Sequence, residues 1–219
     1  MTEIYMCDPV RKVRDLYATS PISEFKTTFD LLQAHAEILL AAQQSDDKTA
    51  TFQISNWHPV WVSKKADEIL AADFTADDAR LTLARELGFA DVEDAKKRSS
   101  DLDQTFEACV DIVLAGDLAG LKSQLTANPS LAKQTSSFGH RATLLNYLGS
   151  NGVETWRQVV PMNIVEVARV LLDAGAEVAA TMNVYGGQFD TIAMVETSAH
   201  PAEAGVVQEL LDFLKGLVE

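Results

Sequence analysis

Cysteine is scarce in this chain. Of 219 residues only Cys7 and Cys109 are cysteines. One stands near the start and the other inside an apolar helix-like pattern, so no disulfide framework is expected and a reducing compartment suits both thiols. Histidine is also sparse: His35, His58, His140 and His200 have no second His or Cys at ligand spacing, so no metal is expected. Long apolar runs are missing as well. The longest, Ile38 to Ala42, falls far short of the roughly 20 residues that cross a bilayer. MTEIYMCDPVRK has no apolar stretch behind a basic start, so no leader is expected and the reading is cytoplasmic. Basic residues are outnumbered, 18 to 32, leaving a net charge of −14. That field repels phosphate backbones and anionic lipid, which argues against nucleic-acid and membrane roles and favours a basic protein surface or a cationic ligand. No glycine-rich phosphate loop and no Gly-x-Ser-x-Gly elbow occurs, and Gly186-Gly187-Gln188 reads as a turn. No cofactor and no enzymatic activity are expected.

What the chain does contain is helix patterning. Phe25, Phe29, Leu32, Ala36, Leu39 and Leu40 recur at helical spacing. In TADDARLTLARELGF, Thr75 and Asp78 form a capping-box-like start, Leu83 and Leu87 give the buried face, and Gly88 the stop. ADVEDAKKRSS places acids first and bases last, an order that suits the helix dipole. The exception is TATFQISNWHPVWV, whose β-branched and aromatic residues and Pro59 predict an extended loop or edge strand. At most one short strand or hairpin, near Thr51 to Trp61, is therefore expected in an otherwise all-α chain.

From Asp103 onward the pattern becomes repetitive. TFEACVDIVLAGDLAGLKSQL reads as two helices broken at Gly116-Asp117. Thr143 opens a small-residue helix pattern ending at Asn151-Gly152, and Asn163 a second one ending at Gly175. A third unit runs from Asp190 to the end. The helix-opening threonines Thr105, Thr143 and Thr191 are 38 and 48 residues apart. LLDAGAEVAA resembles the end of an ankyrin repeat and ATLLNYLGSNG its beginning, most strongly over residues 142–180 and more weakly over 78–214. Leu144, Asn146 and Gly149 depart from the family's proline, histidine and alanine. A family repeat is about 33 residues long, so these units carry insertions, the largest from Val153 to Met162. The resemblance implies an all-α, ankyrin-like helical solenoid of about three repeats over 101–219, behind a helical capping region over 1–100.

The resemblance also implies protein recognition, through turns and insertions projecting from one side. Asn151, Glu154, Trp156, Arg157, Tyr185, Gln188, His140, Arg141 and His200 fall in those segments and form the candidate binding set. Trp156 and Arg157 are covered either by a neighbouring repeat or by a partner, since such residues dominate interface hot spots. The alternative is a small-ligand or acid–base site around His140, Glu154, Arg157 and His200. Oligomeric state leaves no mark in the sequence.

Overall fold

A computed structural model describes residues 2–218. Helix makes up 57% of it, so the chain is all-α in class with little strand. Strand β1 (Ile4–Tyr5) leads into α1 (Asp8–Leu16), α2 (Thr28–Gln44), α3 (Lys48–Trp57), α4 (Ala66–Leu70), α5 (Ala76–Glu86) and α6 (Val92–Lys97). Then come α7 (Gln104–Leu114), α8 (Leu118–Ala127), β2 (Val160–Pro161), α9 (Ile164–Asp173), β3 (Met182–Val184), β4 (Gly187–Phe189), α10 (Thr191–Thr197), α11 (Ala199–Glu203) and α12 (Val207–Lys215). No helix among the described residues is long and apolar enough to cross a membrane.

Local chemistry explains most boundaries. Thr27 caps α2 by accepting from Asp30 N–H, seventeen residues before the helix ends at Gln44. The Thr75–Asp78 box at α5 is reciprocal: Asp78 N–H reaches Thr75 Oγ1 at 3.3 Å, and Thr75 N–H reaches Asp78 Oδ2 at 2.9 Å. Gly88 stops this helix at φ +80, and a Cβ there would lie 2.1 Å from the His140 backbone nitrogen. Only glycine lets the His140 backbone approach closely enough to bond Leu87 O.

Two sequence expectations fail here. Thr51 to Trp61 is not extended: Lys48–Trp57 is helical, started by Asp47 accepting from Thr49 N–H. Ala50, Thr51, Ile54 and Trp57 bury one face, and packing of that face overrides the strand preference of Thr, Phe and Ile. Both two-stranded sheets lie elsewhere, β1 against β2 and β3 against β4. Second, Thr143 does not open an α-helix. Asn146 Oδ1 accepts from both Thr143 N–H and Thr143 Oγ1 at 2.9 Å, which closes the turn locally. A single 3-10 turn, Asn146–Gly149, follows and ends at Ser150 in the left-handed region. Gly149 is there because a Cβ would sit 2.7 Å from Met194 Cβ on α10.

Packing divides the interior into two clusters. One, centred on Leu31, Leu39, Ile54 and Leu83, is built mainly from α2, α3 and α5, with Phe138 and Trp156 joining from later in the chain. The other, with Phe106, Val113, Leu121, Leu144, Tyr147, Val167, Leu171 and Leu210, runs through the second half. In that half α7 packs against the 146–149 turn and the turn against α10, while α8 packs on α9 and α9 on α12. The 153–160 segment joins the clusters: Trp156 belongs to the first, Val153, Val159 and Val160 to the second. Residues 152–160 are all buried, so the predicted projecting insertion is interior structure.

Candidate functional site

Residues 153–162 are the place to build from. Tyr5 and Ile4 pair with Val160 and Pro161, and Trp57 Nε1 donates to Thr155 Oγ1 at 3.1 Å, so this segment is tied at both ends. Between the ties lies a 3-10 turn, Thr155–Arg157. It points Trp156 toward the first cluster, where its ring meets Tyr17 at 5.2 Å and His35 at 4.9 Å, both edge-on.

Arg157 turns the other way. Its guanidinium donates to the Glu107 carboxylate, to Glu107 O at 3.1 Å, to Asp111 Oδ1 at 3.1 Å and to Glu154 Oε1 at 3.4 Å. Its three nitrogens are all engaged. Tyr147 donates to Glu154 Oε1 at 3.2 Å. His140 Nδ1 accepts from Ala142 N–H, which leaves the ring proton on Nε2, 3.8 Å from Glu154 Oε1 and too far for a hydrogen bond. His140, Glu154 and Arg157 are essentially without solvent exposure.

Charge in this interior is uneven. Burial raises the Glu107 carboxyl above its usual range, against the pull of Arg157. Burial also opposes ionisation of Glu154, yet His140 and Arg157 hold it below the usual range. Burial acts against the Arg157 charge too, but Glu107, Glu154 and Asp111 raise its pKa further. Nearby, Glu86 is pushed up to about 7 by burial, although Thr155 N–H and Gln53 donate to it. His35 is lowered to about 4 by burial. A buried ion network of this kind is costly to leave half-made, which is why its members lock one another.

The candidate binding set is thus split into five places. His140, Glu154 and Arg157 share the network; Trp156 sits in aromatic packing. These four are inside, not on a projecting edge: the segment that carries Glu154, Trp156 and Arg157 fills the junction of the two clusters, and the His140 backbone is bonded to Leu87 and Asn183. Asn151, Tyr185 and Gln188 are near the β3–β4 hairpin, where Tyr185 Oη donates to Asn151 Oδ1 at 2.6 Å. Arg141 is exposed. His200 is half-buried, with Nε2 3.3 Å from Gln158 Oε1, and no recorded contact links it to Glu154. The sequence reading missed Glu86, Glu107 and Tyr147. A signal existed for Glu86: it follows Ala79, Thr82 and Leu83 at positions i+7, i+4 and i+3, on the buried stripe of α5.

Two open clefts border these groups. One, about 640 Å³, lies between Trp57–Val62 and the β3–β4 hairpin, with Arg85, Phe89 and Arg98 on its wall. The other, about 650 Å³, lies between α1 with residues 20–23 and α7, with Trp156 and Arg157 lining it. Comparison with family models, curated proteins and solved structures finds no match to this chain.

Proposed function

We propose that this chain is a protein-interaction module built on ankyrin-type helix pairs, and that the cleft between Trp57–Val62 and the β3–β4 hairpin receives the partner. Two neighbour series support the repeat reading. The first is α7, the 146–149 turn and α10; the second is α8, α9 and α12. Such layers suit three stacked units that share one core, each unable to bury its apolar face alone.

The observation that carries the binding reading is Tyr185. Val184 pairs with Gly187, so Tyr185 and Gly186 form a two-residue turn, with φ of +53 and +78. Turns with both residues in that region favour Asn-Gly, and a tyrosine there costs about 1–2 kcal/mol. The residue is nevertheless 57% exposed, its ring stacked on Trp57 at 5.7 Å and 8°, beside a loop that exposes Val60 and Val62. A strained, rigidly held aromatic next to exposed aliphatics is the composition of a preorganised anchor. Arg85 and Arg98 against Asp94 give this cleft a different charge from the acidic chain as a whole. It suits a segment with an apolar side chain beside a carboxylate. The test compares captured partners: one held by the parent should be lost with Tyr185→Ala or Val62→Asp and kept with Arg169→Ala on α9, outside this cleft, with circular dichroism showing each variant folded. Equal capture by the Tyr185 and Val62 variants would remove the cleft from the interface.

A further inference from the structure

The cleft between α1 and α7 is independent of that interface. Three of its donor side chains are engaged, and Arg14 stands exposed on its wall. Arg157 is fully committed to Glu107, Asp111 and Glu154, Gln104 Nε2 donates to Phe25 O at 3.0 Å, and Tyr17 Oη donates to Gln53 Oε1 at 2.7 Å. His35 Nε2 lies 2.9 Å from Ser20 O, which can only accept, so the ring proton is on Nε2 and Nδ1 is an acceptor. That Nδ1 has no partner, and neither has Glu107 Oε1. Both side chains line the cleft, and both are almost wholly buried, His35 at 1% and Glu107 at 2% exposure. Buried acceptors without donors are a minority in folded proteins, and two of those in this chain belong to residues that line this one cleft. At the mouth, Asp15 adds a carboxylate with no ion-pair partner among the described residues, and Asp111 meets Arg157 through Oδ1. The walls are the rings of Tyr17, His35 and Trp156, and Tyr17 and His35 are stacked at 4.2 Å.

We infer that this cleft binds a small organic cation, a primary amine on an aliphatic or aromatic body. Unpartnered acceptors on lining residues call for a group that donates. An ammonium provides three N–H groups and no acceptor. Carboxylates at the mouth favour its charge, and the aromatic walls suit an apolar body within a pocket of ordinary small-ligand size. An anion would meet three carboxylates, Asp15, Glu107 and Asp111, against two guanidiniums, Arg14 and the already committed Arg157. A neutral alcohol would lose the charge-assisted part of each bond.

Titration calorimetry at neutral pH with phenethylamine, cadaverine, 2-phenylethanol and phenylacetate tests this on the full chain. Saturable binding of at least one amine at millimolar or tighter affinity is expected, with none for the alcohol or the acid. Asp111→Asn and Asp15→Asn, both at exposed positions, should each weaken the amine by about threefold to tenfold, as one charged contact at a wet rim is lost. Glu107→Gln should weaken it more, but that change also touches Arg157. Ala108→Trp is therefore the second arm: Ala108 is an exposed α7 residue on the cleft wall, and the indole should abolish binding while circular dichroism and melting temperature stay as in the parent. Failure of both amines to bind overturns the inference. So does phenylacetate binding as well as phenethylamine, or amine binding that survives Ala108→Trp.

Discussion

Replacing Glu86 by glutamine probes how this interior handles charge. Glu86 has no solvent exposure; Thr155 N–H donates to Oε1 at 2.7 Å and Gln53 Nε2 to Oε2. Burial raises its pKa from 4.5 to about 7. A folded value above the unfolded one means the native state holds more protons between the two. The stability from this group is full below about pH 4.5 and is lost as pH rises through about 7. The gap corresponds to roughly 3 kcal/mol. His35 acts in the opposite sense: its pKa falls from 6.5 to about 4, so its contribution is present above about pH 6.5 and lost on acidification. Over most of the interval the two nearly cancel, which makes the parent's own pH profile a weak reporter. Glu86→Gln removes one titration and leaves the other. The amide can be accommodated, because Gln53 can turn over, offering Oε1 to the new NH2 and its own NH2 to the Tyr17 hydroxyl. Urea unfolding at several pH values should show the variant more stable than the parent near pH 8. That advantage should close by roughly 3 kcal/mol on going to about pH 4.5, which is about 6–12 °C in melting temperature for a chain of this size. A parent–variant difference that stays constant across the range would refute the reasoning.

Other perturbations separate the remaining parts of the structure. Arg157→Met should destabilise by about 3–5 kcal/mol in urea, because Glu107 and Glu154 are left buried without their cation. Adding Glu107→Gln and Glu154→Gln to it should recover part of that loss. Trp156→Ala should cost about 3–5 kcal/mol by opening a void beside Tyr17 and His35; an unchanged unfolding midpoint would return Trp156 to the surface. Gly88→Ala should prevent folding or lower the melting temperature steeply, as its Cβ would collide with the His140 backbone.

The local pieces of this molecule were written in its sequence. Period and capping place α5 between Thr75 and Gly88, period and a glycine stop place α9 before Gly175, and Gly116-Asp117 marks the break, because each rests on neighbours within one or two turns of chain. Tertiary contacts decided the rest. Thr51 to Trp57 looks extended by composition and is helical because one face finds the α2 and α5 side chains to pack on. The Thr143 segment looks like a helix and is a single 3-10 turn because Asn146 closes it and α10 presses on Gly149. The same holds for the candidate sites. Trp156 and Arg157 carry identical signatures as surface anchors or as buried ties in one dimension. Their fate depends on Tyr17, His35, Glu107 and Asp111, between 46 and 139 residues away in the chain, and only the folded structure brings those groups to them. Period and caps act through the nearest turns of backbone, whereas burial of a charge is set by whatever the whole chain places around it.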